Sequence, residues 1–412
     1  MYRSQQPPTG DPATMSGQIL LRIGIALFAV AAPCAAVVSR RTLFVLLPVA
    51  ALLIIIGGLL LPGAAAQLLR HLRTALTRPL IVIPLLLLVW AGLSFVWTPF
   101  PALATERYLR TTGTILITAA ALACLPARLK PTFSVLLPIG VGLAAAGAVA
   151  AMLLLPPTPQ LPEAEGGDTL RRAVAGLVVL LWPAMAMLAL RGRGAIAGLL
   201  AVAVASATLL VWAPIALAAL IIGFAVFSAG YAAPERMAKV LGAALAALML
   251  GAPLLILALD ALTGGHDQGG LLGTLHVWAE IVKSEGLKLV TGHGFDTSAR
   301  ALAAGLLPAG APRGILFEIW YELGLVGAGG AAALMWAAFT SAARYGQASG
   351  SFLMAGIAAV LTISIAGVSI SQLWWTTQLA GVALAFAVAL HTQTRAETSR
   401  APVFNQRPVL KM

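Results

Sequence analysis

Six arginines lie at the edges of apolar runs in a chain that carries little other charge: Arg107, Arg110, Arg171, Arg172, Arg300 and Arg313. A guanidinium is planar, permanently cationic and forked, so it clasps a phosphate through two parallel hydrogen bonds. Brought together, such groups would hold an anionic ligand. The competing assignment is neutralisation by Glu106, Asp168, Glu318 and Glu322, or anchorage to lipid headgroups. Glu318 and Glu322 are four residues apart and share one helical face. They fit a proton-relay or substrate-hydroxyl pair, or the anionic partners that hold Arg172 or Arg313. Proton transfer near neutral pH points to histidine, and His276 and His293 are the external bases to consider.

Other chemistries find no foothold. The remaining histidines are His71, His266 and His391, and no two of the five stand at metal-ligand spacing; HExxH, CxxC and EF-hand patterns are absent, so no metal is expected. Walker-type and GxGxxG phosphate loops are missing as well, which leaves no expected cofactor and argues against an ATP-driven pump. Cys34 and Cys124 both sit inside apolar runs and suggest no disulfide framework.

The scaffold that positions these groups cannot be water-soluble. Of 412 residues, 60% are hydrophobic and only 10% charged, and the mean hydropathy is +0.95. Ordinary soluble domains carry roughly 25% charge. Apolar runs long enough to span a bilayer cover 17–38, 42–62, 79–97, 111–126, 132–155, 173–190, 194–212, 214–231, 240–261, 315–343, 351–370 and 373–391. They show no ten-residue alternation, so they predict helices rather than barrel strands. The expected fold is all-α: a polytopic transmembrane helical bundle of about 12 spans.

Net charge of +12 would suggest nucleic acid in a soluble protein, yet here it reads as topology. With the N-terminus inside and the spans alternating, the inner side holds 15 Lys and Arg against three acids, and the outer side ten against eleven. This places both termini in the cytoplasm and makes a nucleic-acid partner unnecessary. The first 16 residues are polar and no small-residue cleavage pattern closes the first run, so a retained N-terminus is expected. The chain then divides into a cytoplasmic tail (1–16), spans one to nine (17–261), a large outer loop (262–314), spans ten to twelve (315–391) and a second cytoplasmic tail (392–412). Within the outer loop, Leu272, Leu275, Trp278, Ile281, Val282 and Leu289 recur near helical spacing, predicting an amphipathic helix over 272–289 that caps a cavity or lies on the outer leaflet. Gly324–Gly330 is expected to be a helix-packing surface, and Trp374 with Trp375 an interfacial belt.

Several segments together resemble a known family. Gly292-His293-Gly294-Phe295-Asp296, and then Pro312-Arg313-Gly314 running into Glu322-Leu323-Gly324-Leu325-Val326-Gly327, resemble the two signature elements of the O-antigen ligase and polymerase-like membrane proteins. Trp97-Thr98-Pro99 after the third run fits as well, as does Arg172 ahead of a run that ends in Trp182-Pro183. The resemblance implies metal-independent, inverting glycan transfer on the periplasmic face of the bacterial inner membrane. It implies a donor glycan on undecaprenyl pyrophosphate and an acceptor hydroxyl on a lipid core, another glycan or a protein. Arginines would stabilise the departing pyrophosphate: Arg172 by direct match, with Arg313, Arg171, Arg107, Arg110 and Arg300 as further members. In two places the chain departs from the family. Arg313 stands where the family has a histidine and Gly314 where it has asparagine, while Thr274 replaces an arginine. A guanidinium keeps its proton, so His293, His276 or Glu318 would have to handle the acceptor's proton. The alternatives are a non-catalytic relative that binds lipid-linked glycan and a secondary transporter of anionic solutes. The runs 42–62, 194–212 and 351–370 contain no ionisable group, which counts against transport.

Overall fold

The computed structural model describes residues 11–39, 41–64, 66, 68, 70, 73, 77–126, 129–154, 163–264, 270–308, 310–368 and 372–399. Among the described residues there is no strand. Each of the twelve apolar runs falls on a helix: α1 (Pro12–Val38), α2 (Thr42–Leu59), α3 (Pro79–Val96), α4 (Pro101–Cys124), α5 (Phe133–Leu154), α6 (Thr169–Ala189), α7 (Gly194–Leu210), α8 (Pro214–Ala232), α9 (Pro234–Leu262), and, after the loop helices α10 (Leu271–Ser284), α11 (Lys288–Thr291) and α12 (Thr297–Ala303), α13 (Ile315–Ala343), α14 (Gln347–Ile365) and α15 (Leu373–Ser399). Ten are long and apolar enough to cross a membrane. α7 is shorter, at 17 residues, and α4 carries Glu106, Arg107 and Arg110 near its start. The chain is an all-α, multi-pass membrane protein.

Local sequence explains the helix limits. Pro79, Pro101, Pro214 and Pro234 open their helices, where the missing amide proton costs nothing. Pro33 lies inside α1 and is preceded by a π turn, Leu27–Ala31. α6 is the hub: 89% of its apolar window is buried, against 11% for peripheral α3. α1, α5, α7, α14 and α15 surround it, with Trp182 and Trp375 fully enclosed. A second lobe pairs α9 with α13 and is tied by the Trp320 indole, whose N–H donates to Met249 O at 2.7 Å. The loop helices cover this lobe, and Trp278, Phe317 and Tyr321 fill the space between. Outward-facing Leu86, Leu143, Leu199, Ile221 and Leu254 form a surface suited to lipid.

Long-range contacts sort the helix ends. Phe295 N donates to Ser94 Oγ at 2.9 Å, the Thr98 and Thr297 hydroxyls meet at 3.2 Å, and Gly314 lies against the Ile365 carbonyl. The ends of α3 and α14 therefore share one end of the bundle with the 262–314 segment. At the other end Gln347 Nε2 donates to Tyr231 O and Leu129 N to His391 O.

Several expectations need correction. The loop helix runs Leu271–Ser284 rather than 272–289, because Gly286 at φ +49° turns the chain before α11. α4 starts at Pro101, so Glu106, Arg107 and Arg110 are helical and not in a loop; Arg171 and Arg172 likewise lie on α6. The fourteenth helix ends at Ile365, ahead of the predicted 370, with Gly367 at φ +132° close behind. Trp374 and Trp375 are buried inside the bundle, not in a belt: the Trp375 indole donates to Ser364 Oγ at 2.9 Å. The Gly324–Gly330 stretch does pack, with Leu87 of α3 seated on Gly330. His71 and His266 lie outside the described residues, as do most of the N-terminal tail and 400–412 of the C-terminal one.

Candidate functional site

The shared end is organised by a defect in α13. Residues Ile319–Leu323 form a π turn, and Gly324 at φ +61° then breaks the helical ladder. Two carbonyls released there accept loop amides: Tyr321 O from His293 N at 2.8 Å and Glu322 O from Gly294 N at 2.9 Å. Glycine is required on both sides. A Cβ on Gly292 (φ +73°) would strike the Glu322 carbonyl, and one on Gly324 would strike Val290 O. The Glu322 side chain completes the joint: its carboxylate accepts Asp296 N at 2.9 Å, Ser298 N at 3.1 Å and the Ser298 hydroxyl. Asp296, in the left-handed region at φ 63°, presents a carboxylate that is 1% exposed. Its Oδ1 accepts from Arg107 at 2.8 Å and its Oδ2 from Arg300 Nε at 2.9 Å. Three elements, α4, α12 and α13, thus close on one buried acid pair.

The arginine set consequently divides among four places. Arg107 and Arg300 clamp Asp296. Arg110 pairs with Glu106 on the exposed face of α4. Arg171 and Arg172 line a cavity of about 490 Å³ with Trp212, Ile363, Gln372 and Trp374. The Arg172 guanidinium stands 5.6 Å from the centroid of the Trp374 ring, a cation–π arrangement. Arg172 and Trp374 also line a narrow apolar slot of about 40 Å³ between α1, α2, α6 and α15, walled by Phe28, Leu43, Leu47 and Leu177. Arg172 therefore sits where a largely apolar cavity, charged by Arg171 and Arg172, meets an apolar crevice. Arg313 is exposed and absent from that cavity's lining, although its backbone adjoins Gly367, which is part of the wall. The side chain of Asp168 lies outside those described.

A second cavity, of about 800 Å³, lies under the loop helices and is lined by His276, Glu280, Glu285, Lys288, His293, Thr297 and Tyr321. The structure brings the two predicted histidines together here. His293 stacks on Tyr321, with ring centroids 4.1 Å apart. Its Nδ1 lies 3.1 Å from Tyr321 O and its Nε2 2.9 Å from Glu285. Both ring nitrogens are thus engaged. His276 differs. Its Nδ1 lies 2.7 Å from Asp260 Oδ1, and Nε2 has no partner among the described residues. Asp260 is 4% exposed, and its Oδ2 accepts from Lys283 Nζ at 3.0 Å. Lys283 also donates to Glu280 at 2.8 Å, and these bonds to Glu280 and Asp260 hold the ammonium above the usual lysine range. Asp260, His276 and Glu280 offer ligand atoms within 4.8 Å of one another, but the Lys283 ammonium bridges the two carboxylates and supplies their counter-charge.

Glu318 is buried on α13 one turn before Glu322, and Glu322 serves loop amides, not Arg172 or Arg313. Asp260 escaped the sequence reading because it stands two residues from the end of an apolar run. The available signal was an acid at a span's outer edge with a histidine sixteen residues on. The π turn that organises the loop has no sequence periodicity of its own, beyond Gly324. Comparison with family models, with curated proteins and with solved structures finds no match for the chain in any of the three.

Proposed function

We propose that the chain is a twelve-span glycan transferase of the bacterial inner membrane, of ligase or polymerase type, with both termini in the cytoplasm and the loop-bearing end in the periplasm. It moves a glycan from undecaprenyl pyrophosphate to an acceptor hydroxyl on a lipid core or a second glycan. What carries this reading is the position of Arg172, where a cavity that holds two guanidiniums and Gln372 among apolar walls meets an apolar slot between helices. That layout suits an amphiphile with an anionic head and a hydrocarbon tail. Arg171 and Arg172 hold the diphosphate, and their fixed charge stabilises it as the bond to the anomeric carbon breaks. The acceptor occupies the histidine-lined cavity. The segment Gly314–Tyr321 runs from beside the first cavity, where Gly314 packs on Ile365, to the second, which Tyr321 lines. In this reading Arg107, Arg110 and Arg300 leave the pyrophosphate site, Arg313 stands at its margin, and Glu318 keeps a buried supporting place.

One observation favours a second reading, a relative that binds lipid-linked glycan without transferring it: Arg313 replaces the histidine of the resembled family, and both His293 nitrogens are engaged. The test is complementation of a deletion strain, scored on its lipopolysaccharide and capsular glycan ladders. Loss of the ladder on deletion, and no recovery with Arg172→Ala at normal protein levels, is the expected result. Full recovery by Arg172→Ala refutes the pyrophosphate assignment, and a deletion without any ladder change refutes transfer itself.

A further inference from the structure

Two features of the second cavity separate its two histidines. His293 is held at both nitrogens by a carbonyl and a carboxylate. His276 is held at Nδ1 alone, by a nearly buried carboxylate that comes from a different helix, α9. Both rings line the 800 Å³ space. A carboxylate on Nδ1 fixes the tautomer with the lone pair on Nε2, and it stabilises the imidazolium formed when Nε2 takes a proton.

We propose that Asp260 is a positioning residue that makes His276 the proton acceptor of this cavity, with Lys283 setting how strongly it does so; this rests on the transfer reading above. In the step, the acceptor O–H gives its proton to His276 Nε2 while its oxygen bonds to the anomeric carbon. The glycosyl C–O bond to the diphosphate breaks, and the lipid diphosphate leaves with that electron pair. Asp260 faces His276 from α9, Glu280 and Lys283 share its helix, and Glu285, Lys288 and His293 line the same hollow. Lys283 and Asp260 act on the imidazolium with opposite signs, because one repels it and the other attracts it. That opposition separates a tuned base from a buried structural pair.

The test reads the His276 ring directly. The full chain, purified in nanodiscs, is treated with diethylpyrocarbonate from pH 5 to 8, and carbethoxylation of His276 is followed by mass spectrometry with His293 as internal reference. The titration midpoint of His276 is expected to fall in Asp260→Asn, to rise in Lys283→Met, and to return toward wild type in Asp260→Glu. Surface-glycan assembly is expected to drop by about 100-fold or more in His276→Ala and in Asp260→Asn. Midpoints unmoved in Asp260→Asn and Lys283→Met overturn the proposal. So do shifted midpoints with glycan assembly intact in Asp260→Asn while Arg172→Ala abolishes it. If Arg172→Ala is also without effect, the transfer reading has failed, and the base role falls with it.

Discussion

Asp296→Asn probes the joint between loop and bundle. The wild-type carboxylate is 1% exposed and accepts two guanidinium hydrogen bonds, at 2.8 Å from Arg107 and 2.9 Å from Arg300. Asparagine keeps one acceptor oxygen and turns an amide N–H toward the second arginine, so one charge-assisted bond, typically about 1.5–3 kcal/mol, is lost and the other weakened. Breaking a fully buried ion pair costs about 3–5 kcal/mol. The two arginines are 20% and 34% exposed and recover part of their hydration, which sets the cost at the lower end, about 2–3 kcal/mol. If that energy falls on local opening of the segment from Gly292 to Ala303, amide exchange there rises roughly 30- to 140-fold. Hydrogen-exchange mass spectrometry in nanodiscs resolves a change of that size, and peptides from α6 serve as the unaffected reference. Exchange within threefold of wild type in this segment would refute the idea that Asp296 closes the joint. An equal rise throughout the bundle would show that the acid supports the whole fold rather than the loop.

Two other perturbations follow from the same geometry. Gly292→Ala puts a methyl group onto the Glu322 carbonyl at a positive φ, so the loop must detach or the helix must shift; the melting temperature in detergent should fall, and by more than in Gly305→Ala, where nothing lies near the added carbon. Lys283→Met should lower thermal stability by an amount that stays level from pH 8 to 9, above the range in which histidine titrates. The folded ammonium titrates above its ordinary 10.5, so its contribution is fully present below that value and disappears only as pH rises through the raised one. A stability gap that closes between pH 8 and 9 would contradict the assignment.

Much of the architecture was legible in the sequence, because lipid allows few solutions: each long apolar run had to satisfy its own backbone, and each is a helix. Helix starts were less visible. Pro101 announces α4, yet the charges that follow it read as loop until the helix is seen to carry them. Site residues were legible by type but not by partner. Arg107 and Arg300 carry the same chemistry as Arg172, and only the turn of the chain at Asp296 shows that a carboxylate already occupies them. Asp260 was hidden in a hydrophobic run, where an acid reads as an isolated defect and not as half of a pair with His276. Residues at a π turn escape periodicity arguments because the turn holds one residue more than the pattern assumes. The Gly-His-Gly and Glu-Leu-Gly elements were recognisable as strings, and their physical meaning is the contact between them.

In the proposed function Arg171 and Arg172 hold a diphosphate whose lipid tail enters the slot beside Trp374. The most direct measurement is native mass spectrometry of the purified chain equilibrated with undecaprenyl pyrophosphate and, separately, with neutral undecaprenol. Retention of the pyrophosphate lipid over the alcohol is the expected result, with affinity reduced about tenfold or more in the Arg171→Ala/Arg172→Ala double variant. Equal retention of the two lipids, or undiminished binding by the double variant, would contradict the account.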